Sequence, residues 1–232
     1  MILSVIIPVY NECLTIQEVI ARVLDVAPAG ITEKEIIVSD DGSTDGSGEI
    51  IERARVANSD MIKVHTSASN RGKGAAIRSA LRIASGDVII IQDADLELDP
   101  QEYGQLIAPI ASGEASVVYG SRFAGSTTNI PLRTRLANRL LTHLTNLLYG
   151  SRLTDMETAY KVFRRQVLTD LTLRSNRFEF EPEITAKLLK AGYAIHEVPI
   201  SYNPRRPDEG KKISWRDGMQ AIWTLLRYRV VD

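Results

Sequence analysis

The chain has 232 residues, of which 25% are charged and 44% are hydrophobic, and its formal net charge is −1. This length suffices for one sizeable hydrophobic core, and the balanced charge argues against a nucleic-acid partner, which would need a basic surface. A single cysteine, Cys13, excludes an internal disulfide and is typical of a reducing compartment.

The first half of the chain alternates between strand-like and helical patterns. The start, Met1 to Ser4, has no basic segment before its apolar run, so we expect a strand there rather than a signal peptide. Apolar runs predict strands at residues 3–9, 35–39, 62–65 and 88–92, and helical periodicity predicts helices at 16–24, 46–57 and 73–85. This alternation is typical of βαβ units, so we expect an α/β fold whose central sheet is mainly parallel and flanked by helices.

The second half is less regular. It predicts strands at 116–119 and 194–200, helices at 131–149, 181–191 and 214–229, and loops at 120–130 and 204–212. No apolar stretch approaches the roughly 18 to 20 residues that a membrane-spanning helix needs.

Three acidic residues follow the strand predicted at 88–92. Asp93, Asp95 and Glu97 are spaced two apart and would share one side of an extended chain. Clustered carboxylates repel one another unless a cation lies among them, and such oxygen ligands suit Mg²⁺ or Mn²⁺. Because open α/β sheets bind ligands at the carboxyl ends of their strands, we expect a metal here that holds a nucleoside diphosphate.

Other strands are followed by motifs of their own. Residues 8–12 read Pro-Val-Tyr-Asn-Glu, without the glycine-rich turn of a dinucleotide site. Residues 40–45 read Asp-Asp-Gly-Ser-Thr-Asp, an acidic turn able to accept hydrogen bonds from a base and ribose. Residues 71–74 read Arg-Gly-Lys-Gly and open a helix, where cations and free amides favour an anion.

In this order the motifs resemble those of the family 2 inverting glycosyltransferases, which have the GT-A fold. Within the family, the chain is similar to dolichol-phosphate mannose synthases and bacterial polyprenyl-phosphate glycosyltransferases. The resemblance extends from residue 4 to about residue 216 and includes Gly-Ser-Arg at 120–122 and the stretch 206–212. It implies one glycosyltransferase domain over 1–232, with a nucleotide-binding half at 1–98 and an acceptor half at 99–232.

The motifs and the resemblance together assign roles to individual residues. Nucleotide binding would involve Pro8, Tyr10, Glu12, Val38, Asp40, Asp41, Lys73, Asp93 and Ala94, and metal binding would involve Asp93, Asp95 and Glu97. Catalysis would involve Asp95, Arg122, Asp155, Arg206 and Lys212, of which the cations would stabilise the leaving diphosphate. Glu97 replaces the Gln usual in the dolichol enzymes, and Lys211 before Lys212 replaces a Ser, so either lysine is a candidate for the phosphate contact.

Two kinds of acceptor fit the second half. A hydroxyl acceptor would need a general base, for which Asp155 and Glu157 are candidates. A lipid phosphate is already ionised and would need cations instead, which the predicted helix 131–149 offers in Arg133, Arg135, Arg139 and His143. The many leucines of that helix give it an apolar face typical of a helix that lies in a membrane interface.

The expected function is a metal-dependent inverting glycosyltransferase with a donor of the GDP-mannose or UDP-glucose type and a polyprenyl or dolichyl phosphate acceptor. We expect it in the cytoplasm, on the cytoplasmic face of a membrane, touching the membrane surface or a membrane-anchored partner subunit. The alternatives are the same fold with a soluble or glycan hydroxyl acceptor, and a non-catalytic subunit that binds nucleotide-sugar. A sugar-nucleotide pyrophosphorylase would need a glycine-rich N-terminal loop that this sequence lacks.

Overall fold

The computed structural model describes residues 1–125, 130–204 and 215–231. The strands are β1 (Ile2–Val9), β2 (Glu33–Asp40), β3 (Ile62–Thr66), β4 (Val88–Ile91), β5 (Val117–Ser121), β6 (Lys161–Arg164) and β7 (His196–Pro199). The helices are α1 (Ile16–Asp25), α2 (Ser47–Ala57), α3 (Lys73–Leu81), α4 (Tyr103–Ala111), α5 (Leu132–Tyr149), α6 (Arg165–Thr169), α7 (Phe180–Lys190) and α8 (Trp215–Val230). A 3₁₀ turn at Pro100–Glu102 precedes α4.

The strands form one seven-stranded sheet in the order β3-β2-β1-β4-β6-β5-β7. Strand β1, which lies between β2 and β4, is apolar on both faces, as expected for a strand covered by helices on both sides. Val5 and Ile7 pack in a core with α1, α2 and α4, whereas Ile6 packs in a second core with α3, α6 and α7. The period of two along β1 therefore separates two helical layers, and the mainly parallel α/β architecture predicted from the sequence is confirmed.

Strand β6 runs antiparallel to both of its neighbours. It pairs Val162 with Ile90 of β4, and Lys161 with Tyr119 of β5. The sequence did not predict this strand, which has only four residues and no clear alternation. Helix α4 was also missed because it contains Pro109, a residue that reads as a helix breaker.

Helices α5 and α8 pack against each other in a third, smaller core that includes Leu141, Met156 and Leu225. Large apolar side chains on both helices remain exposed: Leu132, Leu136, Leu140, Leu147, Trp215, Met219, Trp223 and Leu226. We call these side chains the α5–α8 apolar surface. Among the described residues, no helix combines the length and the hydropathy that a bilayer crossing requires.

Candidate active site

One side of the sheet collects most of the residues singled out in the sequence. The parallel strands end there with Val9, Asp40, Ile91 and Ser121, and we call this side the C-terminal rim. Because β6 is antiparallel, it starts at this rim instead of ending there. The loop before β6, residues 150–160, therefore joins the turns that follow β1, β2, β4 and β5.

Both aspartates of the turn after β2 accept hydrogen bonds from backbone amides. Asp40 accepts hydrogen bonds from the amide and the hydroxyl of Ser43, at 3.0 and 2.6 Å. Asp41 Oδ2 accepts from the amides of Arg71 and Gly72, at 2.8 and 2.5 Å. These carboxylates thus fix the turn and the start of α3, and nucleotide binding by Asp40 and Asp41 stays a prediction.

The glycine before Lys73 is required by geometry. Gly72 has φ of +104°, and a Cβ on it would lie 2.5 Å from the carbonyl oxygen of Asn176. The Arg-Gly-Lys-Gly motif therefore brings the start of α3 against the segment that precedes α7.

The loops after β1 and β4 are joined by one hydroxyl. Thr15 donates to the carbonyl oxygen of Ala94 at 2.7 Å and lies 3.3 Å from a carboxylate oxygen of Glu12. Ala94 is buried, while Tyr10 and Glu12 are half-buried at the C-terminal rim. Pro8 and Val38 are buried inside their strands.

The chain bends soon after β4, so the acidic residues there do not lie on an extended segment. Asp93 is paired with the ammonium of Lys73 at 2.7 Å. Glu97 accepts a hydrogen bond from the Tyr202 hydroxyl at 3.0 Å, and its amide donates to Asp95 at 3.1 Å. The extended chain on which the expectation of one shared side depended is absent, and in the described part of the chain no three His, Cys, Asp or Glu side chains are grouped as metal ligands. Metal binding by Asp93, Asp95 and Glu97 stays a prediction.

A chain of alternating charges leads from Asp93 into the interior. Lys73 lies 3.1 Å from Glu181 as well as beside Asp93, and Glu181 pairs in turn with the fully buried Lys161. Burial alone would lower the pKa of Lys73, but Asp93 and Glu181 together raise it, so the ammonium stays charged. Sequence reasoning missed Glu181 and Lys161, although a glutamate in a helix that is otherwise buried was a usable signal.

The residue before Asp93 is held by two tyrosines that sequence reasoning also missed. Gln92 is fully buried, and its side-chain oxygen accepts hydrogen bonds from Tyr103 at 2.8 Å and from Tyr160 at 2.7 Å. Its amide nitrogen donates to the carbonyl oxygen of Asp93 at 3.0 Å. A fully paired polar group of this kind fixes the direction in which the chain leaves β4.

Arg122 and Asp155, both expected to act in catalysis, bind each other. The guanidinium donates from Nε and Nη2 to the two carboxylate oxygens at 2.7 and 2.8 Å, and the Arg122 amide adds a third bond at 3.0 Å. Burial opposes the charge of Arg122, but Asp155 raises the pKa of the guanidinium above its usual range. The amide of Asp155 donates to Glu197 of β7 at 2.9 Å, which completes the anchoring. Asp155 is thus a buried counter-ion of Arg122, and a role for it as a general base stays a prediction.

The cationic side chains that we expected to bind the acceptor or the phosphates lie in separate parts of the chain. Arg133, Arg139 and His143 are exposed on α5, and Arg135 is half-buried. Arg206, Lys211 and Lys212 lie outside the described residues, so their roles stay predictions.

The sheet order, with its antiparallel sixth strand, and a likeness to solved structures define the fold as GT-A. A structure of glucosyl-3-phosphoglycerate synthase from Mycobacterium tuberculosis superposes with a TM-score of 0.72 at 23% identity, over 99% of this chain and 79% of that one. That structure contains Mn²⁺, UDP and phosphoglyceric acid.

The sequence identifies the family. Residues 4–172 match glycosyl transferase family 2. Polyprenol monophosphomannose synthase of Mycolicibacterium smegmatis is 30% identical over 209 residues, which cover 87% of this chain and 77% of that protein. Glycosyltransferase AglD of Haloferax volcanii is 28% identical over 207 residues, but the matched part spans only 33% of that longer protein. The chain belongs to glycosyl transferase family 2.

Proposed function

We propose that the chain transfers a sugar, with inversion, from a nucleotide-sugar to a polyprenyl phosphate. The observation that carries this proposal is the placement of Asp93 and Asp95 after β4, at the C-terminal rim of a family 2 member. The polyprenol monophosphomannose synthase, of which this chain covers 77%, supports a polyprenyl phosphate acceptor. The UDP-glucose and UDP bound by the structural relatives support a nucleotide-sugar donor.

Mg²⁺ or Mn²⁺ fits the residues that follow β4. Asp93 and Asp95 offer carboxylate oxygens, which are the ligands these ions favour. Asp93 keeps 25% of its side chain exposed even in its pair with Lys73, so an ion can reach it. Glu97 is already engaged by Tyr202, which makes it the weakest of the three proposed ligands. When bound, the ion would offset the charge of the diphosphate; the solved relatives with UDP contain Mn²⁺ or Mg²⁺.

The protein's own groups would then position the reactants. The acceptor oxygen would attack the anomeric carbon from the face opposite the diphosphate, so the bond to the diphosphate breaks as the new glycosidic bond forms. The 1–98 half would hold the donor, with Tyr10, Glu12 and Asp40 nearest to the nucleoside. Arg206 and Lys212 are our proposed partners of the leaving diphosphate, because the ion pair with Asp155 already engages Arg122.

The α5–α8 apolar surface supports a contact with membrane lipid. On α8, Trp215, Met219 and Trp223 recur every four residues and therefore lie along one stripe. Exposed arginines at positions 133 and 139 flank the leucines of α5. Exposed tryptophan with neighbouring cations is the composition that membrane interfaces favour. We propose that this surface lies on an anionic membrane, where a polyprenyl phosphate would be presented.

The test is transfer from labelled nucleotide-sugars, measured with and without polyprenyl phosphate. Transfer should require the lipid phosphate and a divalent ion, and Asp95→Asn should abolish it without unfolding the protein. Asp60→Asn is the matched control, because Asp60 is exposed before β3, on the side of the sheet opposite the C-terminal rim. Full transfer by the Asp95 variant would refute the metal role, and transfer only to soluble sugars would favour the hydroxyl acceptor.

A further inference from the structure

A cleft of about 160 Å³ lies between α8 and the segment that precedes α7. Arg174, Asn176 and Glu179 line it from that segment, and Trp223 and Arg227 line it from α8. Apart from the tryptophan, these side chains have no part in the function proposed above. We call this feature the α8 cleft.

The backbone on one side of the α8 cleft is held in place by hydrogen bonds. The amide of Arg174 donates to the buried Glu183 at 2.8 Å, and the carbonyl oxygen of Asn176 accepts from the amide of Ala75 in α3 at 2.9 Å. Helix α3 begins after the loop that leaves β3 at the C-terminal rim. These bonds therefore fix the α8 cleft beside that rim.

The α8 cleft offers more hydrogen-bond donors than acceptors. Arg174 and Arg227 each bring a guanidinium group, which is always charged and cannot accept. The side-chain oxygen of Asn176 already accepts from Arg78, so the NH₂ group, a donor, is what remains of this amide. One oxygen of Glu179 accepts from the amide of Asn176 at 3.2 Å. Two cations thus meet a single carboxylate that the backbone already engages.

The two guanidinium groups also lie close to the same hydroxyl. The buried Tyr228 lines the α8 cleft, and burial raises the pKa of its hydroxyl to about 12. Glu183 adds to this rise, whereas Arg227 and Arg174 both lower the pKa. Like charges that converge on one point repel each other unless an anion lies between them. Guanidinium groups match the oxygens of a phosphate, so a phosphate is the anion that this arrangement favours.

The position of the α8 cleft indicates what carries the phosphate. Trp223 belongs both to the lining of the cleft and to the α5–α8 apolar surface. Arg227 follows it by four residues, so a cation extends the stripe of exposed Trp215, Met219 and Trp223. Membrane interfaces favour tryptophan at the depth of the lipid headgroups, with cations beside the anionic lipids.

We propose that the α8 cleft binds the phosphate group of an anionic phospholipid through Arg174 and Arg227. The inference rests on the proposed membrane contact and not on the sugar transfer. A headgroup held there would keep the C-terminal rim beside the bilayer from which a lipid acceptor comes. Free inorganic phosphate has the same chemistry, so the test separates these two sources of the group.

Binding to vesicles tests the lipid. The double variant Arg174→Gln, Arg227→Gln should bind vesicles of phosphatidylcholine and phosphatidylglycerol at least about tenfold more weakly than the wild type, because charge-assisted bonds to the phosphate are lost. The matched control is Arg53→Gln, Arg55→Gln, which removes the same charge from α2 in the other helical layer. Its loss should be smaller, since attraction to an anionic surface falls off within a Debye length. Equal losses would show an effect of net charge alone and overturn the proposal.

A titration with inorganic phosphate tests the α8 cleft without a membrane. Trp223 is the tryptophan that remains after Trp215→Phe, and its fluorescence should change saturably as phosphate is added. The change should vanish when Arg174→Gln and Arg227→Gln are added to this background. A saturable response together with equal losses on vesicles would assign the cleft to soluble phosphate and overturn the lipid.

The remaining outcomes separate the α8 cleft from the membrane contact. If the wild-type protein binds no vesicles, the membrane contact fails and the lipid falls with it, while the phosphate titration still decides whether the cleft binds an anion. A specific loss on vesicles without a response to inorganic phosphate supports a site that binds phosphate only as part of a lipid. The absence of both effects overturns the site.

Discussion

The buried ion pair between Arg122 and Asp155 leads to a prediction about the free energy of unfolding. The Asp155 side chain is 0% exposed and that of Arg122 is 11% exposed, and the two share a bidentate contact. Removing one partner of a buried pair leaves an uncompensated charge and destabilises by about 3–5 kcal/mol, compared with about 0–1 kcal/mol for an exposed pair. Arg122→Met should therefore lower the free energy of unfolding by about 3–5 kcal/mol at pH 7.

The double variant shows whether the loss comes from the pair. Arg122→Met leaves the buried Asp155 carboxylate without its cation, and Asp155→Leu removes that carboxylate. The double variant should therefore lose less free energy of unfolding than the two single variants lose together, by at least about 2 kcal/mol. The assay is equilibrium unfolding in urea at constant slope. Arg22→Met is the control, because Arg22 forms an exposed pair with Glu18 on α1 and should change stability by less than about 1 kcal/mol. Additive effects, or a loss at Arg122 as small as that at Arg22, would refute this account.

Three further predictions concern other charged and apolar groups. Glu35, buried and bound by Ser4 and Lys63, has a pKa lowered to about 2 although burial opposes this. The ionised Glu35 side chain stabilises the fold fully above the unfolded-state pKa, and this stabilisation is lost as pH falls towards 2. Glu35→Gln should therefore lower the free energy of unfolding by about 2–3 kcal/mol at pH 7 and by much less at pH 3. Lys73→Met should lower the melting temperature, because Asp93 and Glu181 lose their cation. Added Mg²⁺ should restore part of the lost melting temperature. If Mg²⁺ does not raise the melting temperature of this variant, the result contradicts a metal at Asp93. Trp223→Ser should weaken binding to anionic vesicles in flotation, whereas a serine in place of the exposed Val56 of α2 should not; equal effects would exclude the α5–α8 apolar surface as the contact.

The sequence predicted the fold of residues 1–98 well because the signals there are local. The apolar runs of β1, β2 and β4 and the periodicity of α1 are each contained in a single element, and all four lie within two residues of the expected bounds. Helix α3 ends at Leu81, four residues short of the prediction, since the segment after it turns to enter β4. What could not be predicted are the long-range pairs: Lys73 with Glu181, and Gln92 with Tyr160. Their partners are distant in the chain, and no period or spacing connects them.

The direction of β6 explains why residues 99–232 were harder to predict. Had β6 been parallel to β4 and β5, the residues before it would lie on the opposite side of the sheet from the C-terminal rim. Because it is antiparallel, Asp155, Glu157 and Tyr160 reach the C-terminal rim from the amino end of a strand, and Tyr160 there contacts the residue that precedes Asp93. The motif at 155–161 was visible in the sequence, but which of its two carboxylates is paired depends on Arg122, which comes from another strand. A carboxylate's chemistry is set by its partners, and the partners of Asp155 and Glu157 are determined by the topology of the sheet rather than by their own segment.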